Sequence, residues 1–260
     1  MSEFVVFGFA ATILGAIIGS FLNALSFRFN TGRGMGGRSR CMHCGHKLSV
    51  ADLVPIFSYL FLRGQCRYCS ARFSLQYPLV EAAAAFLSFL IYLNHPGFFV
   101  FSFWLLVWMT LLFTVVYDLR HGIIPWSCSL LLIVLALFAF VAGLVPSGPT
   151  ALLAGPLLAL PLFLISLVSL GRWMGWGDSV FELSIGWLLG ATLGASALLL
   201  AFWSGTIVGV TLIFLSRLRR KKTMLQFTMG SEVPFAPFLA FGAFLAHFFH
   251  VDFFSALALF

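Results

Sequence analysis

Four cysteines stand as two close pairs in this chain of 260 residues. Cys41 and Cys44 form one pair and Cys66 and Cys69 the other, in the spacing C-x2-C-x21-C-x2-C. Two pairs of thiolates, separated by enough chain to fold back, suit a tetrahedral zinc ion. The alternative is two disulfides, which form in oxidising compartments. The spacing therefore predicts a structural zinc site wherever this segment is kept reduced.

Other potential ligands near these cysteines have simpler interpretations. His43 and His46 could each replace a cysteine at the metal, but with four thiols present we expect both to be solvated. The fifth cysteine, Cys128, lies in an apolar run and is expected to be a packing residue.

Two aspartates form a second candidate site. Asp118 ends one apolar run, in VVYDLRHGIIP, and Asp178 precedes another, in GWGD. An ionisable residue at a membrane boundary is costly and indicates function. When two carboxyl groups share one proton, one can donate a proton while the other activates water, as in aspartic proteases. Gly175 and Gly177 would let an extended substrate backbone approach Asp178 closely.

Both aspartates also have structural interpretations. Asp178 could be the N-cap of the helix that follows it. Asp118 could be a solvated loop acid beside Arg120. The residues alone leave these alternatives open.

The composition of the chain indicates whether these sites belong to a soluble protein or to a membrane protein. The chain is 61% hydrophobic and 9% charged, with a mean hydropathy of +1.05, whereas a soluble domain is about 25% charged. Its apolar runs are long and continuous, unlike the alternating strands of a membrane barrel. The first run has no basic segment before it, which argues against a cleaved signal peptide. The fold class is therefore all-α, a polytopic membrane protein.

Seven apolar runs predict the spans, and they cover residues 4–27, 78–93, 98–117, 123–145, 151–170, 183–216 and 233–249. The run 183–216 is too long for one helix of roughly 20 residues and short for two. A turn at residues 190–194 would divide it. All 15 basic residues then fall on one side of the membrane, the cytoplasmic one. We therefore expect about eight transmembrane helices, with both termini outside.

Residues 28–77 form the only sizeable polar segment, and it is cytoplasmic in this topology. A segment this short buries little core, so a structural metal would stabilise it. Its glycine-rich stretch TGRGMGGRSR follows no strand, which disfavours a phosphate-binding loop and favours a basic segment near anionic lipid. We expect no nucleic-acid partner. The predicted organisation is a first helix (1–27), a cytoplasmic tetracysteine loop domain (28–77) and a transmembrane domain (78–260) that carries both aspartates.

These motifs together resemble the type IV prepilin leader peptidase/N-methyltransferase family over nearly the whole chain. The matching stretches are GSFLNALSFR (19–28), the cysteine-containing loop (39–69), YPLVE (77–81), YDLRHGIIP (117–125), GWGD (175–178) and EVPFAPFLAFGA (232–243). The GxGD element alone is short and is shared with presenilin-like proteases. Its combination with the four cysteines, in this order, is specific to the family.

The resemblance implies a bifunctional enzyme of the bacterial inner membrane, with its catalytic face in the cytoplasm. Such an enzyme cleaves the leader of prepilins or pseudopilins and methylates the new N-terminus with S-adenosylmethionine. Matched residue by residue, Asp118 and Asp178 are catalytic and the four cysteines hold structural zinc. Asn23, Asp52 and Glu81 also match family positions.

The sequence departs from the family pattern at one position, and two other functions remain as alternatives to the peptidase. The family usually reads GxGDxK, and Val180 occupies the lysine position, so the methylase could be absent while the peptidase remains. A transporter or channel would place acids deep within several spans, and the uncharged span centres disfavour it. A non-catalytic assembly factor that docks through its basic loop is the third possibility.

Overall fold

The computed structural model describes residues 2–30, 37, 39–145, 148–218 and 234–254. Within these ranges the chain is helical, and β-structure is limited to two isolated bridges, Arg40 with Lys47 and Gln65 with Arg72. The predicted all-α fold class is confirmed.

Eight long apolar helices account for most of this part of the chain. They are α1 (Ser2–Ser26), α3 (Gln76–Asn94), α4 (Phe98–His121), α5 (Trp126–Val141), α6 (Pro149–Val168), α7 (Trp176–Leu189), α8 (Ala191–Leu218) and α9 (Ala236–Phe249). A 3-10 turn (Val50–Leu53) and the short helix α2 (Phe57–Phe61) lie between α1 and α3. Five helices, α1, α3, α4, α6 and α8, are long and apolar enough to cross a membrane.

The long apolar run 183–216 is divided at Gly190. This residue has φ of 80°, a conformation that glycine adopts without steric cost. Helix α7 ends before it and α8 begins directly after it. The predicted break is present, but it lies at Gly190 alone, because residues 191–194 of the predicted turn already belong to α8. The two helices are unequal, with 14 and 28 residues, because the break lies near the start of the apolar run.

The chain divides into two compact units, residues 1–116 and 117–260. In the first unit, α1 packs closely on α3. A Cβ on Gly19 would lie 2.9 Å from the Cα of Glu81, so only glycine permits this approach. The Ser88 hydroxyl donates to the carbonyl of Ala11 at 2.6 Å and ties the same two helices together. Small residues of this kind allow membrane helices to pack by close backbone contact.

In the second unit, α7 is the central helix and contacts α5, α6, α8 and α9. Gly186 of α7 allows the approach of α6, since a Cβ there would lie 2.9 Å from the Cα of Gly155. The helix that carries Asp178 is therefore also the core of its unit.

Several predicted features lie outside the described residues. They are most of the stretch TGRGMGGRSR, the basic segment from residue 219 onward, and Glu232. The cytoplasmic assignment of 28–77 and 217–233, and the three-part organisation of the chain, remain predictions.

Candidate active site and metal centre

The two cysteine pairs lie on two matching turns, which we call the knuckles (residues 39–48 and 64–73). In the first, the Cys41 amide donates to the carbonyl of His46 and the Gly45 amide donates to Cys41. In the second knuckle the pattern is the same: the Cys66 amide donates to the carbonyl of Ala71, and the Ser70 amide donates to the carbonyl of Cys66. Gly45 and Ser70, the equivalent positions, both have positive φ. Each knuckle thus presents its two thiols from one locally determined turn.

The knuckles bring all four thiols together. The four Sγ atoms lie within 4.8 Å of one another, and those of Cys41 and Cys69 are 3.8 Å apart. A zinc ion with Zn–S bonds of about 2.3 Å requires sulfur separations of about 3.8 Å at the corners of a tetrahedron. No disulfide joins the cysteines. The residues present therefore fit a zinc ion, and neither His43 nor His46 belongs to the cluster.

The electrostatics of the cluster also favour a cation. The backbone amide of Cys44 donates to the Cys41 thiol and lowers its pKa to about 6, outweighing the effect of burial. The amide of Ala71 lowers the pKa of Cys69, but burial and the neighbouring thiols raise it to about 12. Without a cation the four sulfurs cannot all ionise together, whereas a bound dication stabilises every thiolate.

Asp52 supports the second knuckle from outside the cluster. Its carboxylate accepts hydrogen bonds from the amide and the hydroxyl of Ser49, at 3.0 and 2.8 Å. It also forms an ion pair with the Arg67 guanidinium at 2.9 Å. Burial opposes ionisation of Asp52, but the bonds from Ser49 and the charge of Arg67 outweigh it and lower the pKa. His46 is exposed as expected, and its ring lies 3.7 Å from that of Tyr68. These contacts hold the knuckles against one another.

Asp118 lies in the last turns of α4 and is buried, with 4% of its surface exposed. It accepts a hydrogen bond from the backbone amide of Ala236, the first residue of α9. A carboxylate is stabilised at a helix N-terminus. Its Oδ2 atom has no partner. Asp118 is therefore not a solvated loop acid, and it has one oxygen available for another bond.

Asp178 lies in the first turn of α7 and is 7% exposed. Its Oδ2 accepts the amide of Gly175, the N-cap residue, at 3.1 Å. The buried Ser166 hydroxyl fixes the same turn by donating to the carbonyl of Met174 at 3.1 Å. Asp178 is thus the third helical residue rather than the N-cap, although it does satisfy an amide at the helix start.

The two aspartates interact although 60 positions separate them in the chain. Asp118 and Asp178 lie near enough for the charge of Asp118 to act on Asp178. Both belong to the second unit. The second unit thus brings together two carboxyl groups from distant parts of the chain, and the Oδ2 of Asp118 is unpaired.

A third carboxyl group, which the sequence reasoning missed, lies one turn after Asp178. Glu182 is 0% exposed, and neither of its carboxyl oxygens has a hydrogen-bond partner. The neighbouring Ser179 hydroxyl is also buried and unpaired. The available signal was the i, i+4 spacing of Asp178 and Glu182, which places both on one helix face.

The two glycines of GWGD have different surroundings. A Cβ on Gly175 would meet only the Asp178 carboxylate, at 3.3 Å, and the Gly177 amide. A Cβ on Gly177 would lie 3.0 Å from the Cβ of Ile124. The space beside Gly177 is therefore partly filled by Ile124, whereas a side chain at Gly175 would lie directly against the Asp178 carboxylate.

Val180, at the family's lysine position, faces an apolar groove between α6 and α7. The groove has a volume of about 200 Å³ and is lined by Pro156, Ala159, Leu160, Phe163, Ser179, Val180 and Leu183. A valine suits this lining, whereas a lysine would bring an unpaired charge into it.

Comparison with known proteins identifies the family. The model of the "Bacterial Peptidase A24 N-terminal domain" matches residues 13–95. A "Prepilin leader peptidase/N-methyltransferase" of Aeromonas salmonicida is 32% identical over 214 residues, covering 80% of this chain and 70% of its own. The chain belongs to the prepilin leader peptidase/N-methyltransferase family.

Relatives with the same name extend the family match over more of the chain. That of Stutzerimonas stutzeri is 31% identical and covers 92% of this chain and 90% of its own. That of Burkholderia pseudomallei is 29% identical, with 95% and 87% covered. No solved structure matches the chain. The resemblance drawn from the motifs is confirmed.

Proposed function

We propose that this chain is a membrane-embedded aspartyl endopeptidase that removes the leader peptide of type IV prepilins or pseudopilins. Its relatives carry the name of that activity. The observation that carries the proposal is the pair Asp118 and Asp178, two buried carboxyl groups on different helices that interact electrostatically.

The chemistry follows from one ionised and one protonated carboxyl group. The carboxylate accepts a proton from water while the oxygen of that water attacks the scissile carbonyl carbon. The protonated carboxyl group donates its proton to the carbonyl oxygen. Collapse of the tetrahedral intermediate breaks the C–N bond. The leaving amine receives the proton taken from water, and one hydroxyl of the intermediate returns its proton to the aspartate that had protonated the carbonyl oxygen. Gly175 lets the peptide backbone reach Asp178, and Gly177 is proposed to contribute to the same approach.

Structural zinc at Cys41, Cys44, Cys66 and Cys69 is part of the proposal. The mutual separations of the four sulfur atoms support it. The ion would fold the loop between α1 and α3, which has little apolar core of its own.

Methylation of the new N-terminus is proposed from the relatives' printed name. The methyl group of S-adenosylmethionine would pass to the neutral amine nitrogen, which then loses a proton, and S-adenosylhomocysteine would be released. Val180 replaces the family's lysine, and its apolar groove gives no support to a charged role at that position.

The catalytic face is proposed to be cytoplasmic in the bacterial inner membrane. The placement of all 15 basic residues supports this topology. Reporters fused after Leu48 and after Ser147 should report opposite compartments. If both reported the same compartment, the eight-helix topology would be wrong.

One experiment tests both activities. Purified protein in phospholipid vesicles is incubated with a prepilin and isotope-labelled S-adenosylmethionine, and the product is analysed by mass spectrometry. We expect loss of the leader and gain of one methyl group on the new N-terminus. Leader loss without methyl gain would restrict the function to the peptidase. An intact prepilin, under conditions in which a family relative cleaves it, would refute the proposal.

A further inference from the structure

Residues 50–61, which we call the segment, lie between the two knuckles and carry an uncommon turn. Ile56 has φ of 63° and ψ of −51°, and the Phe57 amide donates to the carbonyl of Pro55 at 2.6 Å. This is a γ-turn with positive φ at its central residue, a rare and strained conformation. A β-branched side chain makes it less favourable still. Such a turn persists only where the surrounding structure holds it.

Glu81 supplies the restraint. The Ile56 amide donates to Oε2 of Glu81 at 2.7 Å, and the carboxyl group also bonds the side chain of Ser20. Glu81 is itself buried against α1 at Gly19. A side chain of the membrane helix α3 therefore binds the backbone of the loop at its most strained residue.

This bond fixes how close the segment comes to the membrane. Glu81 is five residues into α3, about 7.5 Å along the helix axis. Side chains lean toward the N-terminus of their helix, so the carboxyl group reaches back toward the loop. Ile56 is consequently held near the start of α3, one of the helices that are long and apolar enough to cross a membrane.

The segment exposes apolar side chains there. Phe61 is 83% exposed, and five more of its large apolar residues are also exposed: Val50, Leu53, Val54, Phe57 and Leu60. Asp52 is the segment's one charged residue, and its carboxylate faces Ser49 and Arg67 within the loop. Arg63 lies two residues after the segment and is exposed, so it could contact phosphate headgroups.

We propose that residues 50–61 insert into the headgroup–acyl boundary of the bilayer and that Glu81 anchors them there. The occupant of this apolar surface is lipid, because the hydrogen bond to α3 holds the segment at the membrane surface. Short apolar segments that lie in the interface bury their side chains about 5–10 Å deep. The loop would then be attached to the membrane at its middle as well as at its two ends. This inference does not depend on the peptidase function.

Photocrosslinking in nanodiscs of phosphatidylcholine and phosphatidylglycerol tests the insertion. The photoreactive residue p-benzoylphenylalanine is placed at Phe61 in the full chain. The matched control places it at Met42, an exposed apolar residue of the first knuckle. We expect at least about tenfold more lipid adduct at position 61, because an inserted side chain contacts acyl chains continuously. Equal adduct yields at the two positions would overturn the proposal. Adducts at position 61 that form with added prepilin in place of lipid would also overturn it.

Two substitutions test the anchor in the position-61 reporter protein. Glu81→Gln retains an oxygen that can accept the Ile56 amide, whereas Glu81→Ala does not. We expect the adduct yield to be kept by Gln and to fall at least about threefold with Ala. Zinc content, measured on each protein, shows whether the knuckles remain folded. An unchanged yield in Glu81→Ala would show that Glu81 is not the anchor. If Glu81→Ala fails to accumulate, a threefold loss in Glu81→Gln would count against the anchor instead.

Discussion

The knuckles and the aspartate pair bring polar groups together over very different lengths of chain. All four thiols lie between residues 41 and 69, and each pair is formed by a turn whose hydrogen bonds are local. Asp118 and Asp178 lie on separate helices, and only the packing of the second unit brings them together. One site is therefore built by local geometry and the other by tertiary structure.

The two sites also differ in how fully their polar groups are paired. Around the thiols, backbone amides donate to sulfur and Asp52 is held by Ser49 and Arg67. Around Asp178, the Oδ2 of Asp118, the Ser179 hydroxyl and both oxygens of Glu182 are buried without partners. Buried polar atoms are normally paired, and exceptions concentrate at functional sites. The groups around the thiols are thus largely paired, whereas those around the aspartates leave several buried oxygens unpaired, which supports the chemical role proposed for the aspartates.

Replacement of either aspartate is expected to have the largest effect. Asp118→Asn and Asp178→Asn keep an oxygen that can accept the amide at each helix start, but neither can transfer a proton in catalysis. We expect each to lower the prepilin cleavage rate by roughly 1000-fold. Asp252→Asn, an acid after α9, should cleave normally. If Asp118→Asn or Asp178→Asn cleaved prepilin at nearly the wild-type rate, the aspartate pair would not have the catalytic role proposed for it.

Removal of the metal should have a large effect on the loop. The protein should contain about one zinc ion per chain, and replacement of Cys41 and Cys44 together by serine should abolish it. Limited proteolysis should then cut residues 39–73 much faster, because metal binding supports folding of the loop. Cys128→Ser, which alters a buried cysteine outside the cluster, should retain zinc. Zinc-free wild-type protein prepared under reducing conditions would contradict the metal assignment.

Substitution of Gly177 tests whether this glycine is needed for the approach of substrate or only for packing within the protein. We expect Gly177→Val to lower cleavage about tenfold or more, because small displacements of a bound peptide are costly. The substitution also collides with Ile124, so Ile124→Ala is added as a second change to relieve the overlap. Cleavage by this double variant should stay low if the glycine serves substrate approach. Full recovery would assign Gly177 to packing alone. Val180→Lys, on the same helix, should keep cleavage.

Asp52→Asn should have the smallest effect, and the effect should depend on pH. The folded-state pKa of Asp52 is lowered, so its charge stabilises the loop above the unfolded value of about 3.9. That contribution is lost as pH falls through the lower folded-state value. At neutral pH we expect the variant to be less stable by about 1 kcal/mol, measured by amide hydrogen exchange at Ser49 and Tyr68. A difference from wild type that did not shrink as the pH was lowered below about 4 would contradict the assignment to charge.

Much of the fold could be predicted from the sequence because its signals are local. Long apolar runs require helices in a membrane, and the break at Gly190 follows from the length of one such run. The cluster of four cysteines could be predicted for a similar reason, since each close cysteine pair forms its own turn. In both cases, residues near one another in the chain are sufficient to specify the structure.

Tertiary structure alone decided how the remaining groups meet. The sequence contains Asp118, Asp178 and Glu182, but only the packing around α7 buries them in one unit and leaves several of their oxygens unpaired. It also contains Ile56 and Glu81, yet their hydrogen bond depends on the close approach of α1 and α3 at Gly19. The length and hydropathy of the apolar runs indicate which helices can cross a membrane. The contacts between spans depend on side-chain packing, which couples residues far apart in the chain and has no local sequence signal.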